Sequence, residues 1–182
     1  MQSSKKWSKA YLSNMALFAP AIAFLLYARL APGSAQVRWH IAYLLGGVLA
    51  VVHGIWLMSR ETKHGIALGV DLYLMIGAAL ALASPAASAA WGEGGGAASL
   101  LACVLAVGIA GLLFAPRQLC GAAGVDETRA RAMCATMVAV TIAALAVAVP
   151  LRHEPLLGGV LPIVGLMLAR AGVERRVLAT AN

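Results

Sequence analysis

His53 and Asp71 are the two side chains whose types and placement could carry chemistry in this sequence. Each lies inside a long apolar run, and the two runs flank one charged turn, Ser59-Arg60-Glu61-Thr62-Lys63-His64. Counted from Thr62, His53 stands nine residues before the turn and Asp71 nine after it. In antiparallel helices rising 1.5 Å per residue, that spacing puts both at one depth, ~10 Å inside the hairpin end. A carboxylate within a bilayer costs ~2.5–3.5 kcal/mol to insert, so it faces the bundle interior and takes a partner. A buried Asp–His pair can relay protons, because histidine titrates near neutral pH and a carboxylate beside it tunes that exchange. The structural alternative is equally concrete. Asp71 is about two helical turns from the end of its run, where water, Lys63 or Arg60 could satisfy it as interhelical glue. His53 could then simply bond a backbone carbonyl.

The elements that must position this pair are membrane helices. The 182 residues are 62% hydrophobic and 12% charged, with a mean hydropathy of +0.85. Soluble domains carry roughly 25% charged residues, and a chain this short cannot bury so much apolar surface internally. The composition therefore predicts an all-α, polytopic membrane bundle forming a single domain over 1–182, with the lipid bilayer as its main partner. The net charge of +7 fits basic loops facing anionic headgroups. Nucleic acid is not an expected partner, since no soluble portion is long enough to hold a binding module.

At ~20 apolar residues per crossing, six spans are expected: 15–31, 40–58, 65–83, 97–115, 127–149 and a short run at 156–169. The alternative is five spans plus a re-entrant segment, because Pro162 interrupts the last run. Residues 1–14 read as an interfacial N-terminus anchored by Trp7 and Tyr11 beside Lys5, Lys6 and Lys9, and 170–182 as a polar tail. Gly33-Ser34-Ala35 resembles a signal-peptidase site, but an uncleaved first helix, kinked at Pro20, is the preferred reading. Residues 86–96 and 117–125 read as Gly/Ala-rich connectors, and Asp126 as the N-cap of the fifth helix. With both termini inside, eleven of the fourteen Lys and Arg residues fall on the cytoplasmic side and three (Arg29, Arg38 and Arg152) outside. That asymmetry follows the positive-inside rule.

Small residues recur every four positions at Gly46, Ala50 and Gly54 on the second helix, and Gly65, Gly69, Gly77 and Ala81 on the third keep that register with Tyr73 interposed. Such stripes let membrane helices approach closely. Asp71 falls roughly opposite the Gly69–Gly77 stripe, which would give the third helix two protein-facing sides and a central place. The hexapeptide Leu44–Leu49 recurs as Leu156–Leu161, but a three-plus-three transporter repeat would pair the second helix with the fifth. The repeat is read as coincidence in so Leu-, Gly- and Val-rich a chain.

Other chemistry finds little footing. The cysteines Cys103, Cys120 and Cys134 are too few and scattered for a disulfide framework, and Cys103 in mid-span and Cys134 near a span end read as small apolar side chains. His40 and His53 are thirteen apart on one helix, a haem-like spacing, but His64 and His153 lie in turns and do not complete a second helical pair, so no cofactor is expected. No nucleophile elbow, H-E-x-x-H or zinc spacing is present, and the expectation is that the chain is not an enzyme.

Trp56-Leu57 with Arg60 and Lys63, followed by an apolar helix holding Gly77-Ala78-Ala79-Leu80, resembles the central hairpin of intracellular septation protein A-like membrane proteins. Leu17-Phe18-Ala19-Pro20 is similar to their first helix. The resemblance spans about a third of the chain, which departs from it at Asp71, in its less basic turn and in its sixth apolar run. It implies a small bacterial inner-membrane protein linked to envelope or division processes, without an active site. Two functions are therefore carried forward. One is a non-catalytic inner-membrane protein acting through helix and protein contacts in the cell envelope. The other is a proton-coupled carrier whose Asp71 and His53 line a cytoplasm-facing cavity, and which at this size would work as a homo-oligomer.

Overall fold

The structure, a computed structural model, describes residues 16–60, 63–92, 96–119, 125–151, 154, 157 and 161–179. Among these residues the chain is entirely helical: α1 (Ala19–Leu30), α2 (Ala35–Met58), α3 (Gly65–Ala83), α4 (Pro85–Ala90), α5 (Gly96–Phe114), α6 (Pro116–Leu119), α7 (Glu127–Ala148) and α8 (Leu161–Ala179). Four of them, α2, α3, α5 and α7, are long and apolar enough to cross a membrane, while α1 and the apolar part of α8 are shorter.

Prolines set several of these boundaries. Pro20, Pro85, Pro116 and Pro162 each fall in the first turn of a helix, where the missing N–H has no intrahelical acceptor to lose and the fixed φ suits the helix. Pro20 follows a turn at Leu17-Phe18 that separates helical Ala16 from α1, and Pro162 stands in the first turn of α8, after the helical Leu157. The same logic turns two expected connectors partly into helix. Residues 85–90 form α4 behind the Ser84 cap, whose Oγ accepts from Ala86 N, and 116–119 form α6. Glu93 and most of the glycines in those connectors lie outside the described residues, as do 1–14 and Arg152-His153.

α2 starts five residues earlier than its apolar run suggests. Ser34 caps it, accepting from Val37 N, so polar Gln36 and Arg38 are carried in the first turns. The Asp126 cap of α7 is present, its Oδ1 accepting from Arg129 N at 3.0 Å, with Glu127 in the first turn where the helix dipole favours an acid. α8 runs on past Ala169 to Ala179, so the expected tail begins as helix.

α3 occupies the middle. It packs on α2 and α5 along its length and also touches α1 and α4, while α5, α7 and α8 continue the bundle in chain order. Half of its most apolar stretch is buried, against a third or less in the other three long helices. The outward residues are apolar too: Val48, Ile55, Leu82 and Phe114 are 67%, 69%, 80% and 84% exposed. Exposed surface of that kind suits lipid as solvent.

The small-residue stripes divide among neighbours. A Cβ on Gly65 would lie 2.9 Å from the Leu119 carbonyl oxygen, one on Gly69 2.5 Å from Val104 Cα, and one on Gly77 2.1 Å from the Tyr43 ring. The three therefore face α6, α5 and α2, because residues four apart drift ~40° around a 3.6-residue helix. Gly77 shares the α2-facing side with Asp71, which corrects the reading of one stripe opposite that carboxylate. On α2, Gly46 meets Leu74 and Phe24, and Ala50 is fully buried. Gly54 has open space where its Cβ would be, so its place in the packing stripe does not hold. Gly47 takes the contact instead, 2.3 Å from the Ala78 methyl.

Candidate functional site

Nδ1 of His53 lies 2.8 Å from Oδ2 of Asp71. An ionised carboxylate only accepts, so in that state Nδ1 carries the hydrogen and Nε2 is the free lone-pair nitrogen. The helices that deliver the pair are locally determined. The seam of α2 runs through Tyr43, Gly46, Gly47, Ala50 and Leu57, and that of α3 through Ala67, Val70, Leu74, Gly77 and Ala81, all buried. His53 falls between Ala50 and Leu57 on the first seam, and Asp71 beside Val70 on the second. Their side chains are 9% and 2% exposed. Nε2 of His53 is buried with no hydrogen-bond partner among the described residues.

The partners that could have held Asp71 instead are engaged elsewhere. Lys63 reaches across to the α6 segment, its backbone N–H donating to Gln118 O at 2.7 Å and its Nζ to Gln118 Oε1 at 2.9 Å. Arg60 sits with its guanidinium carbon 4.0 Å from the centre of the Trp56 ring, a cation–π contact. Trp56 in turn stacks on His53, centroids 5.4 Å apart and planes at 27°. Arg60, just past the end of α2, Trp56 and His53 thus follow one another at i, i−4 and i−7, and Trp56 and Arg60 cover the pair on the side of the α2–α3 turn.

His64 does different work. It caps α3, Nδ1 accepting from Ala67 N at 3.2 Å, and meets Phe18 edge-on at 5.7 Å. Burial pushes its imidazole down to about 3, and the positive charge of Arg170 adds to that shift. The folded protein therefore keeps His64 neutral, whereas an unfolded chain protonates it below ~6.5. The unfolded state binds the extra proton, so this contribution to stability is complete above ~6.5 and is lost as pH falls from there toward 3. Thermal melts of His64→Asn, which retains a capping acceptor, are expected to show a weaker decline over that window than the unmodified chain.

A second polar contact joins the same two helices and was not legible in the sequence. The hydroxyls of Tyr43 and Tyr73 are hydrogen-bonded to each other and buried. Around them pack Phe24, Trp39 and Trp91, with Trp39 stacked on Tyr43 and Trp91 on Tyr73. Gly77 and Gly92 are the surfaces on which those rings rest: a Cβ on Gly92 would come within 2.8 Å of the Trp39 ring. Tyr43 and Tyr73 are unequally spaced from the turn, so depth-matching misses them; the long tyrosine side chain makes up the difference.

The remaining sequence candidates stay apart. His40 is half-buried on α2 with an unpartnered Nδ1, and His153 lies outside the described residues, so the haem-like spacing is not assembled by what is seen. No group of three or more His, Cys, Asp or Glu side chains positioned for a metal occurs among the described residues. Cys103 is a buried free thiol, while Cys134 is disulfide-bonded, more than the apolar filler expected of it.

No family model, curated protein or solved structure matches this chain.

Proposed function

We propose that the chain is a non-catalytic inner-membrane protein that acts through the lateral contacts of its helices, with His53–Asp71 as an interhelical tie. The observation that carries this reading is the closure of the pair: 9% and 2% exposed, roofed by Trp56, with its two flanking cations already committed. A carrier site needs room for a solute beside its proton group, whereas Ala50, Val70 and Leu74 on the same seam are buried. In this reading α1 and α8 complete six crossings, both termini are cytoplasmic, and the excess of basic residues faces the same side as the Arg60–Lys63 turn. The envelope setting rests on the hairpin's resemblance to septation protein A-like proteins.

One observation favours proton-coupled transport as the second reading. His53 Nε2 is a buried nitrogen, without a partner among the described residues, next to a carboxylate, and a site that exchanges protons needs a nitrogen open to the next donor.

The two readings part at Asp71. In proteoliposomes carrying an imposed pH gradient, the purified chain should give no flux above empty vesicles. In cells lacking the protein, Asp71→Asn should restore whatever envelope phenotype the loss produces, whereas Gly47→Leu, which drives α2 off α3, should not. Gradient-driven flux abolished by Asp71→Asn would establish the carrier instead.

A further inference from the structure

α6 is a short bolt at the end of the bundle that carries the Arg60–Lys63 turn. Its Pro116 is buried. Lys63 grips Gln118 twice, its backbone N–H donating to Gln118 O at 2.7 Å and its Nζ to Gln118 Oε1 at 2.9 Å. The Leu119 carbonyl oxygen closes on Gly65 at the start of α3, and the Leu119 side chain lies against Gly111 near the end of α5. Leu119 also lines an apolar groove with Val104, Met133 and Met137. On the α7 side stands Cys134, 1% exposed, its Sγ 3.9 Å from the Pro116 carbonyl oxygen. A four-residue helix makes too few internal hydrogen bonds to offset its own nucleation, so outside contacts hold α6 in place.

Cys134 is disulfide-bonded and Cys103 is a free thiol. The chain has three cysteines, and elimination leaves Cys120, which directly follows Leu119 in the sequence and lies outside the described residues. In the proposed orientation this end of the bundle faces the cytosol, where disulfides are transient and redox-sensing instead of permanent. We propose that Cys120 and Cys134 are a reversible redox latch on α6, closed by a low-molecular-weight disulfide such as oxidised glutathione and opened by the corresponding thiol. On closing, the two protein S–H bonds are replaced by one S–S bond. The two electrons and two protons pass to the small disulfide, which leaves as two thiols, and opening is the reverse exchange. Once open, α6 keeps only its non-covalent hold on Lys63, Gly65 and Gly111. The latch rests on the cytoplasmic reading of the Arg60–Lys63 turn, because an oxidising compartment would keep the bond closed.

The test begins with thiol counting on the full chain in bacterial cells, quenched in acid and labelled with a maleimide polymer that adds a fixed mass per thiol. All three cysteines should label in unstressed cells, Cys103 alone after diamide oxidises the glutathione pool, and all three again once diamide is washed out. On the purified protein, trypsin should cut after Arg117 several-fold faster once the bond is reduced, and at that fast rate in Cys134→Ser with or without reductant. A bond closed in unstressed cells, a bond that diamide fails to close, or equal cutting of the two forms would overturn the latch. The orientation is read separately from green fluorescent protein fused to the C-terminus, which should fluoresce, as it does only in the cytosol. A fluorescent fusion with a permanently closed bond overturns the latch alone, and a dark fusion overturns the orientation together with the latch.

Discussion

Gly77→Leu is expected to lower the unfolding free energy of the purified protein by about 3 kcal/mol or more. Overpacking a filled core typically costs 1–3 kcal/mol, and here the first added carbon alone would stand 2.1 Å from the Tyr43 ring. Tyr43 is fully buried and cannot retreat without breaking its hydroxyl contact to Tyr73 and the stack with Trp39. The damage therefore spreads from one glycine to the whole aromatic cluster between α1, α2, α3 and α4. Gly54→Leu is the matched control. It adds the same side chain to α2, where nothing lies within 4 Å of the new Cβ, and its effect should stay within about 0.5 kcal/mol. Melting curves in one detergent would compare them directly. Equal losses for the two variants would mean that the α2–α3 contact is not where the structure puts it.

The second large effect belongs to Asp71. Asp71→Leu leaves His53 buried with both ring nitrogens unpartnered, and an unsatisfied buried polar group costs ~1–3 kcal/mol. Asp71→Asn should cost much less, because the side-chain amide oxygen still accepts from Nδ1. In a membrane protein the lower part of that range carries more weight, since an unfolded chain held in lipid or detergent also finds polar partners. The order Leu worse than Asn is the robust part of the expectation. It distinguishes a hydrogen-bonded tie from a site whose essential property is its negative charge, for which the two substitutions would be equally damaging.

Why His53 and Asp71 could be paired from the sequence, and Tyr43 and Tyr73 could not, comes down to reach. Two helices joined by a short turn are in register by counting, and short side chains such as Asp must meet a partner at nearly equal depth. Tyrosine spans more than a helical turn, so its contacts escape that count. The long apolar helices were legible because lipid demands continuous hydropathy. Their ends were not, because ends obey local rules. Ser34 and Ser84 cap helices whose first turns are too polar or too short to register as spans. α8 continues through Arg170 and Arg175, since outside the apolar stretch helix propensity, not hydropathy, sets the length. The stripes of small residues misled in a similar way. A four-residue repeat is visible in the sequence, but its drift around the helix sends Gly65, Gly69 and Gly77 to three different neighbours. The apolar groove lined by Val104, Leu119 and Met137 needs α3, α5, α6, α7 and α8 at one level, and no local pattern encodes that.

A double-mutant cycle on His53 and Asp71 bears most directly on the sealed tie between α2 and α3. Unfolding free energies would be measured in one detergent for His53→Leu, Asp71→Leu and the pair together. If the 2.8 Å contact holds these helices, the doubly substituted protein will be about 1 kcal/mol more stable than the two single losses predict, because it leaves no buried group without a partner. Strictly additive losses would contradict the tie and show that His53 and Asp71 act independently.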